Sequence, residues 1–292
     1  MKNIIEYFYN LKIDTLHKNT NRYEFEIDKN RYYLILSYRY EKELKQIENL
    51  IKNNQNFDQI IHNINSKLIT NISGKNYLLL KKSNKKTSIE DEILNYYKIL
   101  LPTQLYFNID RTDWVYLWSE KIDYIEYQKT HLKGEYPLLE ESINYFIGMA
   151  ENAIMYIRNC FNENNDSDDI VLSHKRITNK EFNSPINLIV DHRSRDISEY
   201  LKYLFFNNNY DYIKISQYLQ KLNLNNYMYR LLYGRMLFPT FYFDKYDDIV
   251  NKNESEKEIL IILKRVEAYE DFLKNIYSII NQNTAIKKVD WL

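Results

Sequence analysis

The sequence predicts an α+β fold, with a small antiparallel sheet and one helix in residues 1–85 and a larger, mainly helical part in residues 86–292. Apolar residues alternate with polar ones in the first part, which is typical of half-buried strands. In the second part they recur every three or four residues, which is typical of amphipathic helices. A polar segment with four lysines, residues 81–87, separates the two patterns and is interpreted as a linker.

The first part is predicted to contain two hairpins with a helix between them. Tyr23, Phe25 and Ile27 share one face of the first strand, and a turn follows at residues 28–30. The turn of the second hairpin contains Gly74, a residue that tolerates a positive φ. The predicted elements, in order, are strands 22–28 and 32–36, helix 41–54, and strands 67–72 and 77–80.

The second part is predicted to be helical except at one point. Two short apolar runs, 170–172 and 186–190, each end in polar residues and indicate a hairpin. This hairpin would place His174, Arg176 and Asp191 near one another. The helices predicted from the spacing of apolar residues are 88–100, 138–158, 196–206, 213–222, 228–238 and 256–280.

Composition excludes several classes of function. The 40 basic and 40 acidic residues balance, so no electrostatic surplus favours nucleic acid or an anionic membrane. No window of about 20 apolar residues predicts a membrane span. The four glycines lie far apart, so no glycine-rich phosphate loop can be written. With a single cysteine and no secretory signal, the chain is expected to fold in a cytoplasm.

Tyrosine is unusually abundant, with 29 residues. One interpretation is functional, because surface tyrosines can stack or be cross-linked by oxidation. The other is codon bias, because the codons of Asn, Ile, Lys and Tyr are all rich in A and T, and all four residues are frequent here.

Several segments resemble the spore-coat kinase-like family (CotS/YutH type) of endospore-forming bacteria, within the aminoglycoside/choline kinase-like superfamily. The resemblance implies a bilobal, protein-kinase-like fold, with the boundary between lobes at residues 85 and 86 and a degenerate catalytic hairpin at 170–196. The resembling segments are WSEKIDYIEYQ (118–128), YPL (136–138), GMAENA (148–153), DHRSRD (191–196), LLYGRMLFP (231–239) and VDWL (289–292).

The resemblance also assigns roles within the hairpin. His174 takes the place of the family's loop histidine, and Arg176 stands where the kinases have their catalytic Asp. Glu181 falls where a metal-binding Asn is expected, and Asp191 matches the second metal-binding Asp. A guanidinium cannot accept a proton at neutral pH, so the catalytic base is missing. We therefore expect no catalytic residue, and only a residual metal or nucleotide role for Asp191.

The kinase-like strand lysine is missing as well. The strand that follows the first turn contains no lysine, and Arg31 and Arg39 flank it. Glu43 and Glu48 are the candidates for the glutamate that pairs with this lysine in kinases. Without the lysine, the ion-pair role of either glutamate is in doubt.

These losses lead to three hypotheses. The first is a structural or assembly protein of the spore coat with a pseudokinase fold. It would be made in the mother-cell cytoplasm and deposited in the coat, with other coat proteins as partners, no metal and no cofactor. The second is a small-molecule kinase using ATP and Mg²⁺, with Glu181 or Asp191 as base and Arg176 neutralising phosphate charge. The third is a non-catalytic nucleotide-sensing module that retains Asp191.

Overall fold

A computed structural model of the chain shows two compact units. The first comprises Met1–Asp110 and Val171–Asp191, and the second comprises Arg111–Ile170 and His192–Leu292. The predicted domain boundary at residue 85 differs from this division and stays a prediction. The structure describes residues 1–19, 22–84, 88–96, 99, 101, 104–105, 108–132, 134–163, 169–178, 182–252, 254–282 and 284–292.

The first unit is built on an antiparallel sheet with strand order β1-β2-β3-β6-β4, in which β5 also pairs with β6. The predicted hairpins and the helix between them are confirmed within two or three residues at each end. The elements up to residue 96 are α1 (Lys2–Tyr9), β1 (His17–Asn19), β2 (Arg22–Ile27), β3 (Asn30–Leu36), α2 (Glu41–Ile51), β4 (Gln59–Ile61), β5 (Ile69–Ile72), β6 (Lys75–Lys81) and α3 (Ile89–Tyr96).

Each face of this sheet has its own apolar cluster. On one face, Ile5 and Tyr9 of α1 pack with Phe25, Leu34 and Leu79. On the other, Leu44 of α2 packs with residues of the opposite strand parity, namely Tyr33, Ile35, Leu78 and Leu80. The alternation predicted for residues 22–28 therefore directs Phe25 into the first cluster, while Glu24 and Glu26 lie on the other face of the strand, where Glu26 is exposed. The sequence analysis missed α1, which covers the first cluster.

The second unit is mainly helical, and it contains two helices that the sequence analysis did not predict, α4 and α9. A long helix at 138–158 is confirmed and extended in α5. The helices from residue 114 onward are α4 (Trp114–Leu132), α5 (Pro137–Asn162), α6 (Ser194–Phe206), α7 (Tyr212–Lys221), α8 (Asn226–Leu237), α9 (Thr240–Lys252), α10 (Leu260–Leu263) and α11 (Val266–Asn281). Between α5 and α6 lie the strands β7 (Ile170–His174) and β8 (Leu188–His192), most of whose residues belong to the first unit.

The prediction of one continuous helix over residues 256–280 was wrong. A 3-10 turn at Glu256–Ile259 leads into α10, and the chain breaks before α11. Arg265 at the break has φ −115° and ψ 4°, outside the helical range. Its guanidinium donates to the carbonyl oxygens of Phe206 at 2.8 Å and Phe205 at 2.6 Å, so it caps the end of α6.

Many tyrosines contribute to the core of this unit. Tyr242 stacks on Phe146 with ring centroids 3.7 Å apart, and Tyr269 is buried among aromatic rings. The tyrosine content therefore serves packing to a large extent, while others such as Tyr38 and Tyr127 are exposed. In the part of the chain that the structure describes, no helix has an apolar stretch long enough to cross a bilayer.

Candidate functional site

The predicted hairpin at residues 170–190 is present as the two-stranded sheet β7–β8. His174 ends β7, and Asp191 lies in β8 one residue before its end. Both side chains are fully buried. The hairpin thus holds two of the candidate residues inside the protein, and Arg176 follows His174 by two positions in the connecting loop.

His174 lies against an aromatic ring. Its imidazole stacks on Phe182, with centroids 4.2 Å apart and an angle of 16° between the planes. A fully buried, stacked imidazole is typical of a packing residue.

Arg176 is half-buried, and its loop is closed by Asn187. The backbone amide of Arg176 donates to Asn187 Oδ1 at 3.2 Å, and Asn187 Nδ2 donates to the Arg176 carbonyl at 2.8 Å. The guanidinium turns back and donates to the Lys175 carbonyl at 2.7 Å. The sequence analysis missed Asn187. The available signal was an Asn two residues after Pro185, a turn-forming combination directly before a buried strand.

Two further residues of the hairpin region are Glu181 and His192. Glu181, like its neighbours 179 and 180, lies outside the described residues. His192, the neighbour of Asp191 in β8, has its Nε2 2.8 Å from the Thr112 carbonyl oxygen, and its ring packs edge-on against Trp114. Among the described residues, no group of three His, Cys, Asp or Glu side chains is arranged to hold a metal ion.

Strand β3 carries a buried tyrosine on its α2-facing side. Tyr33 donates a hydrogen bond to Asp58 Oδ2, and Asp58 Oδ1 accepts from the amide of Ser83 at 2.8 Å. Burial raises the pKa of the Tyr33 phenol, and burial also raises the pKa of the Asp58 carboxyl above its usual range. A buried phenol bonded to a buried carboxyl therefore occupies the face on which the resemblance calls for a lysine.

Arg39 and Glu43 form an ion pair at 3.7 Å, with both side chains buried. Arg39 follows strand β3, and Glu43 lies in α2. The Arg39 guanidinium also donates to the carbonyl of Ile186 at 3.0 Å and to that of Leu188. Arg39 thereby joins the sheet to the chain entering β8. The other candidate, Glu48, pairs instead with His62 at 2.7 Å on the surface.

The connection between β1 and β2 is very short. The two strands pair as far as Asn19 and Arg22, so only residues 20 and 21 link the paired positions. A glycine-rich phosphate loop needs several residues whose amides surround the phosphate. The sequence between β1 and β2 contains no glycine, and residues 20 and 21 lie outside the described residues.

Comparison with known proteins agrees with this fold. Residues 2–276 match the model of the family described as "Spore coat putative kinase YutH". The chain belongs to the YutH family of spore-coat kinase-like proteins. A relative named endospore coat-associated protein YutH, from Bacillus subtilis (strain 168), is 28% identical over 252 residues, covering 75% of this chain and 74% of the relative.

Solved structures similar to this YutH-family chain are small-molecule kinases. An aminoglycoside phosphotransferase from Alicyclobacillus acidocaldarius superposes with a TM-score of 0.63 at 11% identity, covering 94% of this chain and 93% of the other. Choline kinase LicA from Streptococcus pneumoniae gives 0.53 at 9% identity, covering 95% and 97%. At these identities the likeness establishes the kinase-like fold alone.

Two of the resembling segments, 118–128 and 231–239, contact each other in the core of the second unit. Trp118 of α4 stacks on Phe238 with centroids 4.2 Å apart, and the guanidinium of Arg235 lies 5.1 Å from the ring of Trp114. Arg235 is buried and bonded to Glu199 at 3.0 Å. These resembling residues therefore serve packing in this chain.

Proposed function

We propose that this chain is a non-catalytic, kinase-like component of the spore coat. The observation that carries the proposal is Arg176, which stands where the resemblance places the base that deprotonates the acceptor hydroxyl. A guanidinium stays protonated in proteins, so it cannot take that proton. General base catalysis contributes about 10²–10⁴-fold to rate, and it would be lost here.

The residues around the fold's nucleotide position do not fit Mg²⁺ and ATP. Strand β3 has no lysine. Its buried tyrosine, Tyr33, donates its hydrogen bond to the carboxyl group of Asp58. The sequence between β1 and β2 has no glycine from which a phosphate loop could be built. Phosphoryl transfer depends on positioned positive charge around the phosphates, so we derive no catalytic step from this site.

The proposed location rests on the family and on the name of the Bacillus subtilis relative, an endospore coat-associated protein. We infer synthesis in the mother-cell cytoplasm, deposition in the coat and contact with other coat proteins. A fluorescent fusion in sporulating cells tests this inference. We expect a ring of fluorescence around the forespore, and diffuse signal throughout sporulation would refute it.

A transfer assay tests the loss of catalysis. The purified chain is incubated with γ-labelled ATP, Mg²⁺ and a panel of aminoglycosides, choline and sugar alcohols. We expect no labelled product above that of heat-inactivated protein. Label transfer that disappears in an Asp191→Asn variant would overturn the proposal and support a kinase with rearranged groups.

A nucleotide-sensing role is the second candidate, and the retention of Asp191 favours it. This carboxylate is fully buried one residue before the end of β8, where the resemblance expects a metal ligand. A thermal-shift titration with MgATP tests it, because a ligand that binds only the folded state must raise the melting temperature. Stabilisation of the native chain that Asp191→Asn removes, without turnover, would establish this role.

A further inference from the structure

Helix α4 exposes three tyrosines on the side opposite to its buried residues. Tyr116 is 50% exposed, Tyr124 48% and Tyr127 65%. Positions 116, 120, 124 and 127 follow one another at intervals of three or four residues, so the rings lie on one stripe along the helix. Tyrosine is enriched in protein interfaces relative to the rest of the surface, because its ring combines apolar area with a polar tip. The stripe therefore indicates a surface that another molecule covers.

Three carboxylates are interleaved with these tyrosines. Glu120, Asp123 and Glu126 are all exposed, and among the residues that the structure describes none of the three has a hydrogen-bonding or ion-pair partner for its side chain. They follow one another at intervals of three residues, where like charges repel each other and destabilise a helix. Cationic groups of a partner would remove this repulsion.

The basic residues of α4 do not neutralise this face. The helix has two lysines, of which Lys121 pairs with Asp247 of α9 and Lys129 donates to a side chain of α5. Both lysines are thereby directed toward neighbouring helices at the flanks of the stripe. His131 bonds within the helix, since its Nδ1 lies 2.9 Å from the carbonyl oxygen of Tyr127 and the two rings are 4.6 Å apart. The exposed stripe therefore has a negative charge.

Buried polar atoms without a partner lie beside the stripe. Tyr246 of α9 is fully buried, and its hydroxyl has no hydrogen-bond partner in the described part of the chain. The same holds for the buried Oε1 of Gln128, whose Nε2 donates to the Tyr124 hydroxyl at 2.8 Å. Burial raises the pKa of the Tyr246 phenol to about 12, with contributions from the nearby Asp247 and Tyr124. Both unpartnered atoms therefore adjoin Tyr124, where a donor from a partner would satisfy them.

We propose that this face of α4 is a docking surface for a lysine- or arginine-rich segment of another protein. The carboxylates attract the cations, and the tyrosine rings pack on their alkyl stems and make cation–π contacts. One cation donates to the unpartnered oxygens beside Tyr124. The stripe from Tyr116 to Tyr127 spans about 16 Å at ~1.5 Å per residue, which is the length of roughly five residues of extended chain.

The docking surface goes beyond the proposed function and does not depend on it. Its residues lie in α4 and α9, outside the hairpin that carries His174 and Asp191. It requires neither the loss of catalysis nor a bound nucleotide.

Fluorescence anisotropy tests the proposal with the full chain and a labelled peptide of about ten residues, twice the length of the stripe, in which lysine alternates with serine. We expect saturable binding that is weakened at least tenfold when the three carboxylates become amides. That triple variant consists of Glu120→Gln, Asp123→Asn and Glu126→Gln. The matched control removes three exposed acids outside α4 and should alter the affinity less than twofold. It consists of Glu258→Gln, Glu267→Gln and Asp271→Asn.

A second variant, Tyr124→Ala with Tyr127→Ala, separates docking on the rings from attraction between charges, because it keeps all three carboxylates. We expect it to weaken binding at least threefold at an ionic strength of ~0.15 M, where charges farther apart than about 8 Å are screened. All substituted side chains are exposed, so the variants are expected to fold.

Three results would overturn the inference. The first is no saturable binding at millimolar peptide. The second is an equal loss of affinity in the two triple variants, which would indicate non-specific attraction to acidic surface. The third is full affinity in the tyrosine variant. Localisation at the forespore and phosphoryl transfer are measured separately, so this proposal and the proposed function fail independently.

Discussion

Glu92 of α3 is nearly fully buried, with 1% of its surface exposed, and its side chain has one hydrogen bond within the described residues. Asn56 Nδ2 donates to Glu92 Oε2 at 3.3 Å, while Glu92 Oε1 and Asn56 Oδ1 have no partner in the described part of the chain. Two acceptor oxygens are thus buried together without a donor. Each buried unsatisfied polar group costs about 1–3 kcal/mol.

Replacing Glu92 with Gln is therefore expected to stabilise the fold. The new amide can donate to Asn56 Oδ1 and removes a buried carboxyl group, so we expect the free energy of unfolding to rise by about 1 kcal/mol. Urea denaturation measures the change. Glu90→Gln, an exposed neighbour on the same helix, should alter stability by less than about 0.5 kcal/mol. A destabilised Glu92→Gln would contradict this account.

Asp58 makes stability depend on pH. Burial raises the pKa of its carboxyl above the ordinary 3.8, against the lowering effect of the hydrogen bonds from Tyr33 and Ser83. The folded state therefore binds the proton more tightly than the unfolded state. The resulting contribution to stability is complete below pH 3.8 and is lost as pH rises through the folded-state pKa.

The Asp58→Asn variant isolates this effect, because an amide does not titrate. Relative to the variant, the native chain should lose stability as pH rises from 3.8. The measurement is chemical denaturation of both proteins at a series of pH values. Parallel stability curves across that range would show that Asp58 is not the responsible group.

At the scale of elements, the contact between α5 and α8 depends on one glycine. A Cβ on Gly234 would lie 2.5 Å from Ile157 Cδ1 and 2.9 Å from Ile157 Cγ1. Ile157 is fully buried, so its side chain has little space to move. The resembling segment at 231–239 therefore contains a glycine because two helices approach closely there.

Gly234→Ala is expected to destabilise the protein by about 1–3 kcal/mol through overpacking. Gly148→Ala, on α5, is the matched control. Nothing lies within 4 Å of its added Cβ, so it should stabilise by about 0.5–1 kcal/mol through the better helix propensity of alanine. Thermal denaturation of the two variants distinguishes them. Equal effects of both substitutions would show that packing at Gly234 is not the cause.

Sequence periodicity predicted the elements whose apolar stripe is sharp. Strands β2 and β3 and helix α5 have one clear buried pattern, and each was predicted. Helix α4 was missed because aromatic residues surround it, with Trp118 buried and Tyr116 and Tyr127 exposed. The break at Arg265 could not be foreseen, since the apolar stripe continues across it and its cause is a contact with the end of α6.

The candidate site was predicted in part. The hairpin follows from local patterns. Arg39 was singled out because it flanks the strand, and Glu43 because the resemblance calls for a glutamate on the following helix. The burial of Asp191 was not predicted. The Tyr33–Asp58 bond joins residues 25 apart, and the Asn187 contacts span 11 residues. No local pattern encodes such pairings, because they depend on how the sheet and the hairpin are brought together.

At the scale of the whole molecule, the first unit is discontinuous in sequence. Several buried polar groups of residues 1–110 find their partners in the hairpin at 171–191. Arg39 bonds the carbonyls of Ile186 and Leu188, the Asp58 amide bonds Asn183, and the Ile109 carbonyl accepts from Val190. Each lost bond costs about 1–3 kcal/mol against a total stability of about 5–15 kcal/mol.

A fragment of residues 1–110 is therefore expected not to unfold cooperatively on its own. Joining residues 171–191 to its C-terminus through a flexible linker should restore a cooperative transition. Circular dichroism during urea titration compares the fragment with the fusion. A fragment of residues 1–110 with the same midpoint as the fusion would show that the hairpin contacts are dispensable.

Because the first unit is interrupted in sequence, it cannot be completed until residues 171–191 have been synthesised. The ribosome must add about 80 residues between Asp110 and Asp191, which takes roughly 4–16 s at ~5–20 residues per second. During that interval the nascent sheet lacks its last partner and Arg39 has no carbonyls to bind. Translation pauses within the intervening helices would prolong the exposure of an unfinished sheet to aggregation and proteolysis.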